Sequence, residues 1–139
     1  MEFKLKKKRT NNREEGLRVD AIIFGPEGKN NLAIDSKFPL KNYLPSVDSN
    51  LTEKEKQEFE IKFESDVKAH IEKVAEYISE EDGTKSAIMF VPSEVIFSKI
   101  FSQRYYDTIA KIAFKKKVSI CSPTLLLVTV DQLLSWNKV

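Results

Sequence analysis

The 139-residue sequence has a single cysteine, Cys121, and a single histidine, His70. One cysteine excludes an internal disulfide and fits a reducing compartment. One cysteine with one histidine also argues against a structural zinc site. The longest apolar runs, such as Leu125 to Val130, fall far short of the roughly 20 residues that cross a bilayer. The basic start is followed by no apolar stretch of signal-peptide type. A cytoplasmic chain making no membrane contact is therefore expected. A Walker loop, a dinucleotide glycine fingerprint and a nucleophile elbow are all missing. So are internal repeats and low-complexity segments.

What is present describes an ordinary globular chain. Its length suits one domain, spanning residues 1–139, with a single core. Hydrophobic residues make up 41% and the formal charge is only +2, neither disordered nor membrane-like. That small total conceals asymmetry. Lys4, Lys6, Lys7, Lys8 and Arg9 make a basic start, Lys115, Lys116 and Lys117 form a second cluster, and acidic residues concentrate between Glu53 and Asp82. Basic runs can neutralise phosphates; the ordinary alternative is a solvated chain end or helix terminus.

Met1 to Arg9 alternates weakly through Phe3 and Leu5, as a short edge strand would, and Thr10 to Gly16 reads as a polar loop. Leu17 to Phe24 is a β-branched run stopped by Gly25-Pro26-Glu27-Gly28, and Asn31 to Phe38 is a second strand ended by Pro39. Two such runs around a short glycine-containing loop form an antiparallel hairpin. Thr52 to Glu80 is the clearest helix. It opens with capping-box spacing at Thr52 and Glu55, and Phe59, Phe63, Val67, Ile71, Val74 and Ile78 make one apolar stripe. Strand and helix then alternate. Ala87 to Val91 is a strand covered on both faces, Ser93 to Phe114 a helix interrupted near Ser102 to Arg104, and Val118 to Cys121 a second covered strand. Ser122 caps a final helix with Pro123 in its first position. The β-α-β-α order implies parallel strands with right-handed crossovers. The expected class is α/β, a mixed sheet of antiparallel hairpin plus parallel strands flanked by helices.

Chemistry concentrates at Asp20 and at Asp35-Ser36-Lys37. If Phe24 pairs with Asn31 across the turn, Asp20 lies directly opposite Asp35, with Cβ atoms roughly 4.5–5.5 Å apart. Lys37 shares the sheet face of Asp35 because strand side chains alternate. Facing like charges are destabilising unless compensated, and a hard cation such as Mg²⁺ compensates them with carboxylate and water oxygens. A metal there would lower the pKa of a bound water and stabilise charge on a phosphate. The plainer reading is that Asp-x-Lys occurs by chance on solvated strand faces. A one-residue slip would also send the two aspartates to opposite faces.

Other residues carry weaker signals. His70 lies beside the apolar stripe of the long helix and reads as a packed or half-exposed side chain rather than a ligand or base. Cys121 reads as a small core residue. Glu94 follows Val91-Pro92-Ser93, where it either favours a helix dipole or joins a site at the carboxyl edge of the sheet. Tyr105, Tyr106 and Trp136 read as packing residues.

Four blocks, taken together, resemble the RmuC family of DNA-recombination proteins. They are Val19-Asp20-Ala21-Ile22-Ile23 with Ala33-Ile34-Asp35-Ser36-Lys37-Phe38-Pro39-Leu40, then Ala69-His70-Ile71, then Met89-Phe90-Val91-Pro92-Ser93-Glu94, and finally Val118-Ser119-Ile120-Cys121-Ser122-Pro123-Thr124-Leu125. The likeness runs from about Arg18 to Trp136. It implies a restriction-endonuclease-like core of the PD-(D/E)xK kind, similar to Mg²⁺-dependent nucleases, and a link to restraining rearrangement at inverted repeats. Asp20 would be the first acid, with Val19 where the motif's name has proline. Asp35 and Lys37 would be the second acid and the lysine. Relatives carry a long helical N-terminal region, a helix before the core that can supply a further acid, and a helical continuation. Glu14 and Glu15, in a polar loop, are poor substitutes for that acid. The chain is therefore expected to be a domain fragment of a longer protein, any homo-oligomer forming through regions outside it.

Two functional readings follow, from different classes. In the first, a nuclease-like domain acts on DNA: Asp20 and Asp35 bind Mg²⁺ or Mn²⁺, the Ser36 carbonyl adds a ligand, and Lys37 assists the attacking water. In the second, the fold is kept as a non-catalytic DNA-binding or assembly module, and the basic clusters matter more than the carboxylates. A third, purely structural reading treats the stripe of the long helix as a partner-docking surface.

Overall fold

The computed structural model describes residues 2–4 and 19–136. A five-stranded mixed sheet runs in chain order β1 (Glu2–Lys4), β2 (Ala21–Phe24), β3 (Asn31–Ser36), β4 (Thr84–Phe90) and β5 (Val118–Cys121). The first two pairings are antiparallel and the last two parallel. This is the mixed α/β arrangement expected. The polar stretch 10–16 and the first residues of the second predicted strand, Leu17 and Arg18, lie outside the described residues.

Burial alternates along the strands as a two-faced sheet requires. Ile22, Ala33, Ala87, Met89, Val118 and Ile120 belong to the larger core. After the short α1 (Tyr43–Ser46), that core is closed by Phe63, Val67, Ile71 and Val74 of α2 (Glu53–Ala75) and by Ile96 and Ile100 of α3 (Glu94–Ile100). The opposite face, with Ala21, Ile23, Ile34, Ile88 and Cys121, packs against Leu126 and Val130 of the last helix, Pro123–Trp136.

Helix α2 starts where the capping box places it. The Thr52 hydroxyl accepts from the Glu55 amide at 3.2 Å, and the Glu55 carboxylate accepts from the Thr52 amide at 3.3 Å. It ends at Ala75, five residues before the expected Glu80. Ser79 instead exchanges two backbone hydrogen bonds with Thr84, at 2.9 and 3.0 Å, turning the chain through Gly83 into β4. Downstream, the expected interruption is real: Phe101 closes α3, and Ser102 is extended. The helix resumes as α4 (Gln103–Tyr105), widens into a single π turn over Tyr106–Ala110 and ends as α5 (Lys111–Lys115). Tyr105 packs as expected, its ring 5.7 Å from that of Phe63 and its hydroxyl donating to the Glu60 carbonyl. Tyr106 does not; it is exposed on the π turn.

The register of the β2–β3 hairpin decides where the carboxylates go. Ala21 pairs with Ile34, Ile22 with Ala33 and Ile23 with Leu32, the register expected. A buried polar side chain at the turn holds it. Asn31 Oδ1 accepts from the Gly25 amide at 3.1 Å. Its Nδ2 donates to the Gly28 carbonyl at 2.9 Å and to the Asp82 carbonyl at 3.1 Å. The Asn31 amide also donates to the Gly83 carbonyl at 2.8 Å. One side chain thereby joins the hairpin turn to the turn that launches β4. The approach is close: a Cβ on Gly83, whose φ is +73°, would lie 2.3 Å from the Gly28 carbonyl oxygen.

Replacing Asn31 by Ala leaves one donor and two acceptors without this partner. The expected loss is about 1–3 kcal/mol of unfolding free energy, measurable by urea denaturation with an unchanged m-value. Wild-type stability in Asn31→Ala would mean that the β-branched strands alone set the register.

Candidate metal centre

Asp20 stands one residue before β2, and Asp35 is the penultimate residue of β3. Because the last ladder pair is Ala21 with Ile34, the next positions out, Asp20 and Asp35, face each other as the hairpin opens. Asp20 is exposed and Asp35 only 3% exposed. The two differ because Asp35 stays within the sheet, hydrogen-bonded in register with Met89 of β4, while Asp20 sits in a bend at the strand's entrance.

Asp20 is held by the backbone of the opposite strand. The Ser36 amide donates to its Oδ2 at 2.6 Å. Nothing in the residue pattern announces this contact; it follows from β2 beginning one residue after the carboxylate, which leaves Asp20 outside the ladder. Lys37 bonds through its amide to the Phe90 carbonyl at 2.9 Å, continuing the parallel ladder beyond β3. Its ammonium lies 3.0 Å from Asp35 Oδ2. That ammonium compensates the buried oxygen by charge and lowers the carboxyl pKa. Burial pushes the Asp35 carboxyl above the ordinary carboxylate range, Lys37 pulls it down, and Asp20 pushes it up again.

Helix α2 supplies the wall. His70, half-buried, is held below the usual histidine range by burial and then by the Lys37 ammonium, with Asp66 acting in the opposite sense. Asp66 accepts from the Asn42 side-chain amide at 2.6 Å. Tyr77, seven residues beyond His70 and 6% exposed, has its phenol pushed up to about 12 by burial and by the fields of Asp35 and Asp20. Sequence reading passed over Tyr77 and set His70 aside as packing. Tyr77 lies two residues past the end of α2, in the turn that follows it, so helical spacing could not have grouped it with His70; the tertiary fold sets both against the corner.

Glu94 does not join this cluster. Its Oε1 accepts from the Thr124 amide at 2.9 Å, so it caps α6 (Pro123–Trp136) rather than its own helix, and the Thr124 hydroxyl, then that amide, hold its carboxyl low. Cys121 is buried, and burial pushes its thiol up, as suits a core residue. Glu14 and Glu15 lie outside the described residues.

The donor set fits a partly hydrated hard cation. It offers two facing carboxylates, one of them buried, and Mg²⁺ typically takes one or two carboxylates and keeps several waters. Among the described residues no cluster of three or more His, Cys, Asp or Glu side chains is arranged to hold a metal. Also among these residues, no helix is long and apolar enough to cross a membrane.

The family model for the RmuC family matches residues 1–138. No curated protein and no solved structure matches the chain.

The raised Asp35 pKa has a definite sign. Below its unfolded pKa, near 3.8, the group is protonated in both states and costs nothing. As pH rises through the folded pKa, the ionised form is penalised only in the fold, so stability falls. Asp35→Asn is expected to be more stable than wild type at pH 7 by about 0.5–2 kcal/mol, the gap closing as pH falls toward about 4. Thermal melts across pH check this; a less stable variant at pH 7 would show that the Lys37 ion pair outweighs burial and repulsion.

Proposed function

Since the chain belongs to the RmuC family, whose membership supports a DNA-recombination-related role, we propose that the Asp20–Asp35–Lys37 corner is a divalent-metal site acting on DNA phosphodiesters. The reading takes the core as restriction-endonuclease-like, of the PD-(D/E)xK kind, and the activity as one that limits rearrangement at inverted repeats. The observation that carries it is the buried Asp35 carboxylate facing a second carboxylate, with the Lys37 ammonium at 3.0 Å set against the pair. Burying an ionised carboxylate costs desolvation energy, and two facing carboxylates add repulsion. A bound cation removes both costs together.

In this reading Asp20 and Asp35 hold Mg²⁺ or Mn²⁺. The Ser36 amide, already fixed on Asp20, orients that carboxylate. In an extended strand the N–H and C=O of one residue point to the same side, so the Ser36 carbonyl is directed toward Asp20 as well and adds a neutral oxygen ligand. When bound, the metal supplies a water of lowered pKa and charge stabilisation at the phosphate. Lys37, beside Asp35, would hold the phosphate or the attacking water. His70 and Tyr77 close the inner side and restrict water.

A second reading has one observation in its favour: the described donor set stops at two carboxylates. In that reading the fold is a DNA-binding or assembly module without hydrolysis.

Calorimetric titration with Mn²⁺ separates the two. Saturable binding is expected in the wild-type chain, lost in Asp20→Asn and in Asp35→Asn, while both variants keep the wild-type circular dichroism spectrum. Unchanged affinity in the variants, or no binding in any chain, would remove the metal site and leave the non-catalytic reading.

A further inference from the structure

The most exposed large hydrophobic side chain among the described residues is Phe114, 86% accessible near the end of α5. It is not alone. Tyr106 is 54% exposed and Phe101 39%. With Ala110, Lys111 and Lys115 these three aromatics line an open groove of about 420 Å³. Phe114 also borders two further depressions, about 240 and 480 Å³, which run along edge strand β5 past Val118 and Ser119 and reach Ser86. The single π turn over Tyr106–Ala110 falls within this surface and swings Tyr106 outward, and π turns occur disproportionately at functional positions.

The charge around these rings is one-sided. Lys111, Lys115, Lys116 and Lys117 are all exposed, and the acidic residue facing them is Asp107, 3.0 Å from Lys111. Lys115, Lys116 and Lys117 form no ion pair among the described residues. Lys117 occupies a left-handed conformation, φ 59°, just past the helix end, where glycine would be less strained. Lysines near an open strand edge have an ordinary purpose, discouraging a second strand from pairing there. That purpose explains the lysines and speaks against an added peptide strand. It does not explain three exposed rings.

Rings among unpaired ammonium groups match a ligand with flat apolar faces and a regular negative charge. We propose that the Phe101–Tyr106–Phe114 surface binds single-stranded DNA, unpaired bases stacking on the rings while Lys115, Lys116 and Lys117 neutralise phosphates. Duplex bases are already stacked and offer no free faces; a single strand does. The surface is separate from the carboxylate corner. It lies along the free edge of β5, two strands from β3, or roughly 10 Å across the sheet, and it needs no metal.

The test is fluorescence anisotropy of a labelled oligothymidylate of roughly 16 nucleotides, with the whole chain in EDTA. Affinity is expected to fall with salt with a log–log slope of about −2 if three phosphates are neutralised. Phe114→Ala, at an exposed position that leaves the core intact, is expected to weaken binding about 5- to 150-fold. Phe114→Trp is expected to retain it, and Lys115→Gln to make the slope shallower by about 0.7. Wild-type affinity in Phe114→Ala, or no binding by the wild-type chain, overturns the proposal. So does a Phe114→Ala chain that loses self-association in light scattering but binds the oligonucleotide normally, because the surface would then be a contact between copies. With EDTA present, failure here leaves the Mn²⁺ titration of Asp20 and Asp35 untouched, and failure there leaves this surface untouched.

Discussion

The Asn31 side chain is the contact on which the geometry of the carboxylate corner depends. It bonds to Gly25, Gly28 and Asp82, linking a local turn to a residue fifty-one positions away in sequence. A slip of one residue in the β2–β3 pairing would turn every side chain of a strand to the other face. Asp20 and Asp35 would then part, and the apolar residues that alternate with them would leave their cores. Polar recognition at the turn and apolar alternation along the strands specify the same register.

That register brings together two groups that destabilise each other. Asp35 is buried, raised in pKa first by that burial and further by Asp20, and only partly relieved by Lys37. A core optimised for stability alone would not place a second carboxylate opposite a buried one. Local conflict of this kind inside an otherwise consistent fold is what functional sites show. Its surroundings are rigid: the Ser36 amide fixes Asp20, Lys37 is tied to β4, and α2 closes the inner side with four fully buried side chains, Phe63, Val67, Ile71 and Val74.

The two ends of the α3–α5 segment serve different ends. Its inner side, with Ile96, Ile100, Tyr105, Ile109 and Ala113, completes the larger core. Its outer side carries Phe101, Tyr106 and Phe114 beside a lysine run. The break at Ser102 and the π turn over Tyr106–Ala110 both fall within this segment.

Much of this was legible in the residues themselves, wherever the signal is periodic or local. Alternating β-branched residues marked the strands, the Thr52–Glu55 spacing marked the start of α2, and Ser122-Pro123 marked the start of α6. The hairpin register followed from the short turn, and with it the facing of Asp20 and Asp35. Contacts between distant segments were not legible. The early end of α2 depends on Ser79 meeting Thr84, Glu94 caps a helix thirty residues away, and the neighbourhood of His70 and Tyr77 exists only once α2 lies across the sheet. Periodicity determines which face of an element is apolar; only packing decides which face of another element it meets, and so which carboxylate becomes buried and which aromatic is left in water.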